Sequence, residues 1–173
     1  NITLVKNQVR RIKLVRIIPN FLNENIFNQL QSLVLSHQFP YFYSANTGIQ
    51  GDYSDFYFEH MLYEDQKQSS NFFHSLLMPV IGQLNYDYLL RAKVNMYTKK
   101  DKEIYTSYHV DSNASHQVAL FAFNTCNGFT SFEDGEKIPS VANQIAIFDG
   151  SRKHCSVAQT DENIRVNLNI NLQ

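Results

Sequence analysis

The sequence predicts a β-rich fold, a sandwich or barrel, buttressed on its outside by two helices. Three observations carry that prediction. After Tyr86 the chain breaks into short strand-like runs separated by turn signals. Before Tyr86, two stretches place apolar residues at helical spacing. The 173 residues suffice for one hydrophobic core and fall short of two, and no repeat, low-complexity segment or linker divides them. One domain over 1–173 is expected. Residues 1–85 supply a strand, supporting helices and a candidate lid, and 86–173 supply the β core.

Hydrophobic residues at 43% against 18% charged exclude a disordered chain. A net charge of -1 argues against wholesale binding to a nucleic-acid backbone. Cys126 and Cys155 form no CxxC pair, which fits a reducing compartment. No apolar run is long enough to span a bilayer, and the first residues show no signal-peptide core. The expected location is the cytoplasm.

The elements follow in order. Residues 3–18 alternate and are rich in Val, Ile and Leu, as in one long strand or a hairpin. The interleaved cations Lys6, Arg10, Arg11, Lys13 and Arg16 fit a solvated strand face. Asn23 is the expected N-cap of a helix over about 24–37, with Ile26, Phe27, Leu30, Leu33 and Val34 at helical spacing. Residues 38–66 are aromatic and irregular. Gly48 and Gly51 signal turns there, and Tyr53, Phe56, Tyr57 and Phe58 suggest a strand beside a mobile loop. A second helix is expected over about 69–83, burying Phe72, Phe73, Leu76 and Leu77, with Pro79 kinking or splitting it. Strands are expected at about 88–98, 105–111, 116–124, 129–132, 143–148, 154–158 and 163–172.

Candidate chemistry begins at His109-Val110-Asp111. In a strand, positions i and i+2 share a face, so imidazole and carboxylate can converge on one metal. With six His and sixteen acidic residues a His-x-Asp is expected by chance, so the triplet counts only with partners. His154 stands on a later strand. Two His and one carboxylate occupy one face of an octahedron and leave the rest open, which suits non-heme Fe(II). Arg165 opens the last strand and is the only Arg or Lys beyond Lys153. Its planar fork is the natural partner of a carboxylate.

That last strand segregates its faces. Val166, Leu168, Ile170 and Leu172 lie on one side; Arg165, Asn167, Asn169 and Asn171 lie on the other. The apolar side must meet a core, and the polar side is expected to line a cavity rather than face solvent at an edge. Asn95 and Tyr97 share a face and could hydrogen-bond the oxygens of an acid ligand. Cys155 points away from His154 and is expected to be a packed thiol. Phe121, Phe123, Phe132 and Phe148 are candidates for a dry wall or for plain core. His37, His60, His74 and His116 are expected not to be ligands. Lys99, Lys100 and Lys102, with Arg152 and Lys153, would favour an acidic substrate if they shared the cavity mouth; a solvated cluster is the simpler expectation.

His109-Val-Asp111, His154 and Arg165, in that order on late strands, resemble the 2-oxoglutarate/Fe(II) oxygenases. The stretch Gly128-Phe-Thr-Ser-Phe-Glu-Asp-Gly135, then Ala142-Asn-Gln-Ile-Ala-Ile-Phe-Asp-Gly150, then His154, resembles prolyl 4-hydroxylase-like members, compact forms of which are encoded by phages and marine bacteria. The likeness covers roughly 90–172. It implies a double-stranded β-helix, or jelly roll, with helices packed on one sheet. It implies Fe(II), 2-oxoglutarate and O2 as cofactor and co-substrates, giving succinate, CO2 and a hydroxylated peptide, protein or small molecule, with a prolyl residue as the leading substrate. His109, Asp111 and His154 would hold iron, Arg165 would pair with the distal carboxylate of 2-oxoglutarate, and Tyr97 would add a hydrogen bond. Asn95 with Tyr97 also resembles the Asn-x-Tyr of AlkB-type nucleic-acid demethylases. Those carry a second Arg six positions after the first, where this chain has Asn171, so nucleic acid is disfavoured. A non-catalytic cupin-like metal-binding module is the remaining alternative.

Overall fold

A computed structural model describes residues 15–45 and 55–173. The expected strand over 3–18 therefore lies mostly outside the described residues, as do Gly48, Gly51 and Tyr53. Its described end forms β1 (Arg16–Ile18).

Helix α1 (Glu24–Val34) starts where expected: the Asn23 side chain accepts from the Asn25 N–H at 3.0 Å. It buries Phe27, Leu30 and Val34. It stops short of residue 37 because Ser36 Oγ donates to the Leu33 carbonyl at 2.8 Å and accepts from the Gln38 N–H, replacing helical bonds with a turn. The second expected helix is split. A π-helical turn (Phe73–Leu77) precedes α2 (Met78–Ile81). Pro79 has no N–H to continue an α-helical ladder, so the register changes around it.

The strands are β2 (Phe42–Ser44), β3 (Tyr57–Glu64), β4 (Lys67–Gln68), β5 (Leu89–Thr98), β6 (Gln117–Ala122), β7 (Cys126–Phe132), β8 (Lys137–Ser140), β9 (Gln144–Asp149), β10 (His154–Val157) and β11 (Ile164–Leu172). They form two antiparallel sheets. The larger runs β1-β9-β6-β11-β5-β3-β2, with β4 paired to β3, and the smaller runs β10-β7-β8. Strand β8 falls outside the expected strand runs and contains Pro139. It is an edge strand, where a missing N–H costs nothing. Segment 105–111 is not a regular strand. Only two isolated bridges, Tyr105 to Val157 and His109 to His154, tie it to β10. Between them Thr106 Oγ1 takes the Ser156 N–H at 3.0 Å in place of a ladder bond.

One face of the large sheet carries the main core. Val94, Phe121, Phe123, Ile145, Val166, Leu168 and Ile170 pack there with Phe27, Leu30, Leu76 and Leu77. The opposite face meets the small sheet through Val118, Phe132, Ile138, Ala146 and Phe148. Strand β11 sits inside the sheet, paired on both sides by β5 and β6. Its polar face is therefore enclosed between the layers and not solvated at an edge. No helix among the described residues is long and apolar enough to cross a membrane.

Candidate metal centre

His109 and His154 face each other across their bridge, with ring centroids 5.0 Å apart. Asp111 completes the group: one ligand atom from each of the three residues can be chosen so that all lie within 4.8 Å of one another. His109 Nε2 is 3.7 Å and His154 Nε2 4.0 Å from Asp111 Oδ1. His109 Nδ1 lies 3.0 Å from the Ser107 carbonyl and His154 Nδ1 3.0 Å from the Arg152 carbonyl. A carbonyl can only accept, so each Nδ1 carries the proton and each Nε2 lone pair is left for a ligand.

The Asp111 side chain is 6% exposed and is held from two sides. Asn169 Nδ2 donates to Oδ2 at 3.0 Å, and Arg91 Nη2 lies 3.3 Å from Oδ1. Burial raises the carboxyl pKa, but Arg91, then His154, Asn169 and His109, outweigh it and leave a net value below the ordinary one. His154 is also held down, by burial first, with Asp111 offsetting part of the effect. Carboxylate and neutral imidazole, the states a metal needs, are both favoured.

These groups line a cavity of about 110 Å³ between the sheets. It contains all six residues singled out from sequence: His109, Asp111, His154, Arg165, Tyr97 and Asn95. Arg165 is 2% exposed. Its Nη1 donates to the carbonyls of Phe129 (2.8 Å) and Val157 (3.1 Å), and its Nη2 to Ser156 Oγ. The guanidinium lies 4.7 Å over the Tyr97 ring, which stacks on Tyr57 in turn. Every one of these partners is neutral, and Arg165 Nε has none. A buried cation in neutral surroundings is costly and is satisfied by an anion.

Of the four phenylalanines, Phe148 lines the cavity and packs edge-on to His154 (5.2 Å), backed by Phe132. Phe121 and Phe123 instead face the helices and belong to the core. Cys155 is a buried free thiol packed with Phe129 and Val157. Three of the basic side chains are paired, Lys100 with Asp55, Arg152 with Asp134 and Glu136, and Lys153 with Glu133, while Lys99 donates to the Asp161 carbonyl. His60 is a structural residue, bonded to the Pro40 carbonyl and Ser70 Oγ.

Sequence reasoning missed Tyr57, Arg91 and Lys93 on the cavity wall. The signal was present on β5, where Arg91, Lys93, Asn95 and Tyr97 alternate on one face.

No protein-family model matches the sequence, and no match is found among curated proteins. Solved structures do match. A 2OG-Fe(II) oxygenase family oxidoreductase from Burkholderia pseudomallei has a TM-score of 0.64 at 9% identity, covering 91% of this chain and 84% of that one. The epimerase SnoN of nogalamycin biosynthesis, in complex with Fe3+, alpha ketoglutarate and nogalamycin RO, has a TM-score of 0.61 at 13% identity (92% and 78% covered). The viral collagen prolyl hydroxylase of Paramecium Bursaria Chlorella virus-1, as its 2OG complex, has a TM-score of 0.54 at 11% identity (92% and 94% covered). The chain therefore has the jelly-roll fold of the 2-oxoglutarate/Fe(II) oxygenases.

Proposed function

We propose that this protein is an Fe(II)- and 2-oxoglutarate-dependent oxygenase that hydroxylates a C–H bond, with a prolyl or other peptidyl residue as the favoured substrate. One observation carries the proposal. A single cavity joins a two-His, one-carboxylate donor set to a buried guanidinium that has no carboxylate partner. The donor set suits Fe(II) with open positions, and the orphaned Arg165 Nε suits an anionic co-substrate.

His109, Asp111 and His154 would hold the metal through Nε2, a carboxylate oxygen and Nε2. When bound, Fe(II) with 2-oxoglutarate supplies oxygen activation coupled to loss of CO2 and formation of succinate. Arg165 would bind the distal carboxylate, held in place by Phe129, Val157 and Ser156 and lying over the Tyr97 ring. Asn95 donates to Asn167 at 3.1 Å and keeps its own Oδ1 free toward the cavity. Phe148 and Phe132 shield His154 from water. The likeness to a collagen prolyl hydroxylase supports a peptidyl substrate.

The test is succinate formation from 2-oxoglutarate in the presence of proline-containing peptides, with peptide mass followed in parallel. Fe(II)- and O2-dependent succinate with a peptide gaining one oxygen atom is expected. Formaldehyde release from methylated oligonucleotides, with peptides untouched, would point to demethylation instead. No succinate with either, while metal binds normally, would favour a non-catalytic module.

A further inference from the structure

Beyond its contact with Asp111, Arg91 takes no part in the chemistry just proposed. It lies on the cavity face of β5, six residues and roughly 20 Å along the strand from Tyr97. Tyr97 is the register partner of Arg165, and Arg91 that of Asn171, so the two arginines mark opposite ends of one trough. The metal-ligand end is the Arg91 end, since Asp111 bonds Arg91 and Asn169. Arg165 is sealed in, whereas the Arg91 side chain is 23% exposed.

Charge counting shows what Arg91 lacks. Lys93 on the same face is neutralised by Glu59 at 2.7 Å, and Tyr57 donates to the same Glu59 oxygen. Arg165 is matched by the distal carboxylate of the co-substrate. A divalent cation is balanced by Asp111 and the co-substrate's other carboxylate. Arg91's one ion-pair partner among the described residues is Asp111 Oδ1, the oxygen that also faces both imidazoles. A metal at that oxygen takes up its charge and leaves Arg91 a cation beside a cation. Its Nε is already buried without a partner.

We propose that Arg91 is the substrate's anchor, and that the substrate presents a carboxylate to it at the metal end of the cavity. This rests on the oxygenase assignment above. It narrows the substrate to a free acid, or to a residue at a chain terminus or beside an acidic side chain, and disfavours a proline flanked only by neutral peptide bonds. The guanidinium fork matches a planar carboxylate through two parallel hydrogen bonds.

The test uses the anaerobic Fe(II)·2-oxoglutarate complex and follows its visible charge-transfer band, with acetate, acetamide and inorganic phosphate as probes. Acetate should perturb the band with a Kd on the order of millimolar, and acetamide should not. The response should weaken about tenfold or more in Arg91→Gln and partly recover in Arg91→Lys. Should Arg91→Gln fail to form the band, the comparison passes to wild type against Arg91→Lys, with the same expected direction. An absent wild-type response to acetate, an equal response to acetamide, a response to phosphate alone, or a response unchanged in the Arg91 variants would overturn the proposal. A wild-type protein that forms no band refutes the oxygenase assignment instead, so the two failures are distinct.

Discussion

Asn169 Nδ2 donates to Asp111 Oδ2 at 3.0 Å, across 58 positions of sequence. The bond fixes the carboxylate's orientation while its other oxygen faces His109 and His154. It explains why a strand buried in a sheet keeps an asparagine there.

Replacing Asn169 with Ala should weaken Fe(II) binding about 10- to 100-fold, the usual range for a group that orients a metal ligand. Metal titration of the folded variant checks this. An unchanged affinity would mean that the Asn169 bond is incidental.

Arg165→Met should separate binding from stability. The guanidinium is buried among neutral groups, so an apolar side chain of similar length should leave the metal-free fold as stable or more so. Affinity for 2-oxoglutarate should fall by about 2–5 kcal/mol equivalent. In thermal melts with metal present, 2-oxoglutarate should raise the wild-type Tm and leave the variant's unchanged. Equal shifts would place the co-substrate elsewhere.

Phe121 and Phe148 should behave differently. Phe121 is wholly buried in the helix-facing core, so Phe121→Ala should cost about 3–5 kcal/mol in urea unfolding while the folded protein binds metal normally. Phe148→Ala should also weaken metal binding, because it exposes His154 to water. Identical effects on metal affinity would contradict the assignment of the two faces.

Acid should destabilise the metal-free protein. The unfolded chain protonates His154 near pH 6.5, while burial holds the folded imidazole below that value. Its contribution is complete above about pH 6.5 and is lost as pH falls toward the folded value. Asp111 acts lower: its folded pKa is depressed, so its contribution is present above the ordinary carboxylate value and is lost as pH falls through the folded one. Urea midpoints should drop between about pH 7 and about pH 5, with a shallower slope in His154→Gln. A flat profile in the wild type would contradict this.

The parts of the site written locally were legible in the sequence. Face segregation along 165–172 predicted a strand with a core side and a cavity side, and both are present. The spacing of His109 and Asp111 sufficed to place both side chains together, although the segment is an extended tether and not the expected strand. Asn23 marked the start of α1 because an N-cap is a local interaction. Long-range partners were not legible: neither the Asn169–Asp111 bond nor the Arg91–Asp111 pair leaves a trace in spacing. The helix expected over 69–83 is present in split form, as Pro79 signalled, but its π-helical first half was not legible. Apolar periodicity does not distinguish an α turn from a π turn, and Pro79 signals a break without saying which form it takes.

The most direct measurement mixes anaerobic protein with stoichiometric Fe(II) and 2-oxoglutarate and records the visible spectrum. A weak charge-transfer band is expected in the wild type. It should be lost in His109→Ala and His154→Ala, and should require far more 2-oxoglutarate in Arg165→Ala. A wild-type protein that binds Fe(II) but shows no band, or an Arg165→Ala protein with unchanged demand for 2-oxoglutarate, would contradict the account.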